Sequence, residues 1–128
     1  MMQALLWMDL SDEPNFGQPV LAWARQHFPN LAVFDLDTRS EEMLQHYAVR
    51  LLQETPGTIV CLKAGEGNLN QLMPLLEELL QPQPQRHLLL LGHHPRLSRM
   101  LHARPTIRHS AVADEEELKR LLLQLIPA

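Results

Sequence analysis

The chain has 128 residues, 45% hydrophobic and 20% charged, with 15 acids, 11 lysines and arginines, and a formal net charge of −4. That balance is an ordinary globular one: it excludes disorder as the dominant state and lacks the overall basic excess of a phosphate-backbone binder. A single cysteine excludes an intrachain disulfide and thiolate metal clusters.

Residues 3–9, QALLWMD, form an apolar run that ends in an acid and predict a first strand. A loop of turn formers follows over 10–17. Pro19 suits the first position of a helix, and Val20, Leu21, Ala24, His27 and Phe28 recur at helical spacing until Pro29 and Asn30 stop it. Residues 31–35 predict strand two. Thr38 and Glu41 stand at capping-box spacing, in which each side chain satisfies a free backbone donor of the first turn. Met43, Leu44, Tyr47, Ala48, Leu51 and Leu52 then give the apolar face of helix two, ended by Pro56 and Gly57.

Residues 58–63 predict strand three, with Cys61 inside it as a small core residue, and 64–68 form a glycine loop. Helix three is expected over 70–81. Its leucines cover more than one narrow stripe, and surplus apolar surface marks an interface, so Leu75 and Leu79 become candidate contact residues. After Gln81-Pro-Gln-Pro-Gln85, strand four is expected at 87–91, a short helix at 95–102 and a fifth, edge strand at 106–112. Asp114 and Glu117 again have capping-box spacing, and Leu118, Leu121, Leu122, Leu125 and Ile126 mark the buried face of a last helix.

Strict alternation of short, continuously apolar strands with helices predicts one α/β domain over 1–128, a three-layer α/β/α sandwich on a five-stranded parallel sheet. The favoured strand order is the flavodoxin-like 2-1-3-4-5, with a Rossmann-like order as the alternative. No apolar run approaches the roughly 20 residues that span a bilayer. The first ten residues lack the basic start of a signal peptide, so no membrane association and a cytoplasmic location are expected.

In this topology ligands bind beyond the C-terminal ends of the strands. The candidate ligand-binding residues there are Asp9 and Asp12 after strand one, Lys63 after strand three, and His93, Arg96 and Arg99 after strand four. The arginines, three apart on one helix, can share a face and grip a small anion. His93 and His94 are adjacent, point apart along an extended segment, and do not have the spacing of a zinc pair. Gly65-Glu-Gly67 lacks both the third glycine of a dinucleotide fingerprint and the lysine placement of a P-loop.

Element order, together with acids after strand one (Asp9, Asp12, Glu13), resembles the receiver domains of two-component signalling. That resemblance implies magnesium near Asp9 and a phosphoacceptor aspartate at the end of strand three. This chain has Lys63-Ala64 there, and no lysine where strand five ends at 109–113. Val33-Phe-Asp-Leu-Asp-Thr38 is similar to the Asp-x-Asp-x-Thr signature of haloacid-dehalogenase-like phosphatases, but Thr38 follows Asp37 directly and the later family motifs are missing. Asp35 and Asp37 therefore read as strand-end and turn residues. Toll/interleukin-receptor domains share the size and layout, but their serine-rich first-strand signature is absent.

The expected function is a non-catalytic, receiver-like interaction or regulatory module, without cofactor or metal, that associates with itself or another protein. The alternative is a small-ligand or phosphoryl-binding domain with its site at the strand ends. Nucleic-acid binding through Arg86, Arg96, Arg99, Arg104 and Arg108 is disfavoured by the acidic net charge.

Overall fold

Five apolar runs pair side by side into one parallel sheet of order β2-β1-β3-β4-β5. In the computed structural model the strands are β1 (Ala4–Asp9), β2 (Ala32–Asp37), β3 (Thr58–Lys63), β4 (His87–Leu91) and β5 (His109–Val112). The helices between and after them are α1 (Pro19–His27), α2 (Glu42–Glu54), α3 (Met73–Leu79), α4 (Pro95–His102) and α5 (Glu115–Leu125). The structure describes residues 4–11, 19–37, 42–55, 57–65, 72–81 and 83–126. The flavodoxin-like order and three-layer class match the expectation from element alternation.

Side chains alternate across a strand, so each central strand feeds two cores. Leu6 and Met8, Val60 and Leu62, and Leu88 and Leu90 pack with α2, α3 and α4. Leu5 and Trp7, Ile59 and Cys61, and Leu89 and Leu91 pack with α1 and α5. All six residues of β1 are buried, as a central strand covered on both faces must be.

Four elements depart from the sequence expectation. Strand β2 runs on to Asp37 because its register with β1 holds for six pairs, from Ala4↔Ala32 to Asp9↔Asp37. It is an edge strand, where charged residues are tolerated, and Asp35 and Asp37 are exposed. Strand β5 starts at His109 because the Ile107 amide donates to Arg104 O, a tight turn that keeps 104–107 out of the ladder. Helix α3 ends at Leu79, short of the expected residue 81, and residues 70 and 71 of the expected helix lie outside the described ones.

The fourth departure is the rotation of α2. Its buried residues are Gln45, Ala48 and Leu52, whereas Met43 (79% exposed), Tyr47 (57%) and Leu44 (42%) face outward. A helix over an edge strand has sheet beneath only part of its width, so part of a broad apolar stripe stays uncovered. Helix α3 has the opposite fate. It lies between α2 and α4 in the same layer, and its leucines meet the sheet and both neighbours. Leu75 (0% exposed) and Leu79 (1%) are core residues, so the expectation that they form a contact surface is corrected.

Candidate functional site

The carboxyl edge of the sheet is where the candidate residues were expected to meet. At the end of β1, Asp9 is buried and its Oδ1 accepts from Ser11 N (2.9 Å) and Ser11 Oγ (2.5 Å). That is an Asx-type turn, in which the carboxylate shapes its own loop. Gly65, after β3, presses on the same turn: a Cβ there would stand 2.2 Å from Ser11 Cα and 2.5 Å from Ser11 N. Only glycine lets the two loops approach this closely. Lys63 is the register partner of Asp9 and partly buried, and its carbonyl accepts from Leu10 N at 2.9 Å.

Asp9 and Lys63 continue the side-chain rows of Trp7 and Cys61, so they belong to the α1/α5 face of the sheet. Arg96 and Arg99 are exposed on α4, which covers the other face, and Arg96 Nη2 lies 4.0 Å from Met73 Sδ on the α3 side. The sheet itself separates the two halves of the expected anion grip. His93 is exposed at the β4–α4 connection, and Asp12 lies outside the described residues. Among the described residues, no three histidine, cysteine or carboxylate groups are placed to hold a metal ion.

The segment Gly92-His-His-Pro95 is accounted for by local geometry. Gly92 takes a positive φ of 89°, which turns the chain out of β4, and its amide donates to Val112 O at 3.0 Å. His94 is the N-cap of α4: its extended backbone precedes Pro95 at the first helical position, and its Nδ1 accepts from Leu97 N at 3.2 Å. Only a neutral ring can accept there, and burial is the main cause that lowers the His94 pKa below 6.5, with Arg96 and His93 adding to it. Asp114 caps α5 likewise, accepting from Glu117 N at 2.8 Å while Glu117 Oε2 accepts from Ala113 N at 3.2 Å. The box expected at Thr38 and Glu41 lies outside the described residues.

Arg86 is interior (1% exposed) and therefore no surface base. Its guanidinium donates to Glu78 O (2.8 Å), Leu52 O (3.2 Å) and Glu78 Oε1 (3.3 Å). These carbonyls sit in the last turns of α2 and α3, where the helices leave acceptors unpaired. Burial pushes the Cys61 thiol far up, so it stays protonated inside β3.

A different concavity, which no motif signalled, lies between α4 and β5. It measures about 180 Å³, with Leu90, Leu101 and Ala111 as apolar lining and Ser98, His102, His109 and Ser110 as polar lining. The rings of His102 and His109 are perpendicular, with centroids 5.7 Å apart. On the neighbouring ladder, His87 Nε2 meets Ser110 Oγ at 3.1 Å, while the buried His87 Nδ1 has no hydrogen-bond partner among the described residues. Comparison with known protein families, curated proteins and solved structures finds no match for the chain.

Proposed function

We propose that this chain is a non-catalytic α/β interaction module that associates with a second copy of itself through the outer face of α2. The observation that carries the reading is the outward position of Met43, Leu44 and Tyr47, beside the edge strand β2. Phe34 of β2 packs on Tyr47 with ring centroids 5.1 Å apart, so helix and strand form one continuous apolar patch. Large apolar side chains grouped this way favour a partner over water.

Charge complementarity favours a second copy. Helix α2 has Glu42 at its start and Arg50 in its third turn, paired along the helix with His46 and Glu54 respectively. Two such helices laid antiparallel across a two-fold axis bring the acid of each toward the arginine of the other, and their dipoles oppose favourably. Direct pairing of β2 with a second β2 is opposed by Asp35 and Asp37, whose like charges would gather at the seam. Further support comes from the carboxyl edge of the sheet, where Asp9 and His94 serve turns and caps and Lys63 stands at the receiver-like phosphoacceptor position.

The test is a mass in solution across a concentration series, for the wild type and for Met43→Glu with Tyr47→Glu. A dimer that the double substitution converts to a folded monomer supports the proposal. A monomer at every concentration, or a dimer indifferent to both changes, overturns it.

A further inference from the structure

Between Glu78 and Asp114 the sequence contains no aspartate or glutamate, yet it holds Arg86, Arg96, Arg99, Arg104 and Arg108 and five of the seven histidines. The fold gathers this stretch into β4, α4 and β5 at one side of the molecule. Arg86 is turned inward, but Arg96, Arg99, Arg104 and Arg108 stay exposed. The nearest acids in sequence open α3's last turns or α5, and α5 packs on the opposite face of the sheet from α4. Among the described residues this side of an acidic protein thus carries more basic than acidic side chains, a local region of positive potential.

The α4–β5 cleft opens within that region. Its hydroxyl and imidazole lining can donate hydrogen bonds, and Ser98, Leu101 and His102 on α4 face His109 and Ala111 across it. Arg99 stands one turn before His102 on the same helix and can reach toward its mouth. The volume of about 180 Å³ admits a tetrahedral oxyanion with a few attached atoms, and Leu90 and Leu101 offer an apolar wall to such an attachment. Oxygen-rich anions are held by this combination of donors and positive charge.

We propose that the cleft between α4 and β5 binds a small phosphate-bearing anion. It is a different place from the strand ends, where an anion site was expected, and it does not depend on self-association. The ligand sits between the Ser98–His102 turn of α4 and the start of β5, with Arg99 beside the mouth; Arg108 is engaged elsewhere, donating to Pro84 O at 3.1 Å.

The test is a titration with inorganic phosphate, glycerol 3-phosphate and, as neutral control, glycerol, at ionic strength held constant with sodium chloride. Melting temperature and the imidazole proton signals in NMR are both followed. The expected result is a saturable rise in melting temperature, with the His102 and His109 signals moving and those of His27 on α1 still. Arg99→Gln with His102→Asn changes only exposed side chains, so the fold is kept and checked by the ligand-free melting curve. It should weaken binding about tenfold or more, the worth of a charge-assisted hydrogen bond. Saturation by inorganic phosphate alone assigns the site to the free ion; tighter binding of glycerol 3-phosphate assigns it to an organic phosphate. A response that sodium chloride reproduces, or that the double variant leaves unchanged, overturns the proposal.

Discussion

Replacing Arg86 by alanine should be among the most damaging single changes in the molecule. The side chain is buried and makes three hydrogen bonds, two to carbonyls at the ends of α2 and α3 and one to the Glu78 carboxylate. Removing one partner of a buried ion pair costs about 3–5 kcal/mol. The Glu78 side chain is 15% exposed and also accepts from Gln53 Nε2 at 3.4 Å, so water and Gln53 recover part of its loss. The Leu52 carbonyl stays orphaned, at about 1–3 kcal/mol. Taken together, a loss of about 3–4 kcal/mol is expected, a large fraction of the stability of an ordinary domain. Arg86→Lys, with one donor head in place of a fork, should recover less than half of it. Glu78→Gln keeps an acceptor near Arg86 but leaves the buried guanidinium without its counter-charge, so it should cost more than the about 1 kcal/mol of an exposed pair and less than Arg86→Ala. Urea unfolding of the three variants, read by midpoint and slope, is the assay. An Arg86→Ala loss under about 1 kcal/mol, the range of an exposed pair, would refute the reasoning.

Gly92→Ala should cost about 1–2 kcal/mol, because a side chain is strained at a φ of 89° and its Cβ would lie 3.3 Å from Ala64 Cβ. Gly65→Ala should cost more, since its Cβ meets the Ser11 backbone, and denaturant midpoints of the two variants test that order. The His87 pKa is lowered below 6.5 by burial first, then by Arg108 and His109. The unfolded chain therefore binds more protons than the folded one as pH falls below 6.5, so stability is full above that pH and declines beneath it. Between pH 7 and 5.5 the slope of stability should be shallower in His87→Gln than in the wild type, the remainder including His94, whose shift has the same direction; equal slopes would count against the buried neutral imidazole. Cys61 should resist a thiol reagent in the native state and react only at the rate of unfolding, which stopped-flow labelling against denaturant can follow.

The order of elements was legible because strand and helix periods differ and their punctuation is chemical. Pro19 opens α1, Pro95 opens α4, and Asp114 with Glu117 caps α5 as their spacing requires. The candidate site was much less legible. Asp9, Lys63, Arg96 and Arg99 all follow strand ends, but pleat alternation and helix placement put the first two on one face of the sheet and the arginines over the other. A residue's distance from a strand end can be read along the chain; the face it serves depends on register and on which side each crossover packs.

Sequence alone determined the alternating α/β plan, the five strands and most helix ends, because these follow from local periodicity and from the backbone's need for capped donors and acceptors. Tertiary structure decided which apolar stripe faces water. Met43 and Tyr47 belong to a helix over the sheet's edge and stay exposed, while Leu75 and Leu79 belong to one hemmed in by two neighbours and are buried. It also decided that Arg86 is a clamp on two helix ends and that Ser98, His102 and His109 share a cleft. Each of these depends on what lies across space from a residue, and the sequence specifies that only through the packing of the whole sheet and its helices.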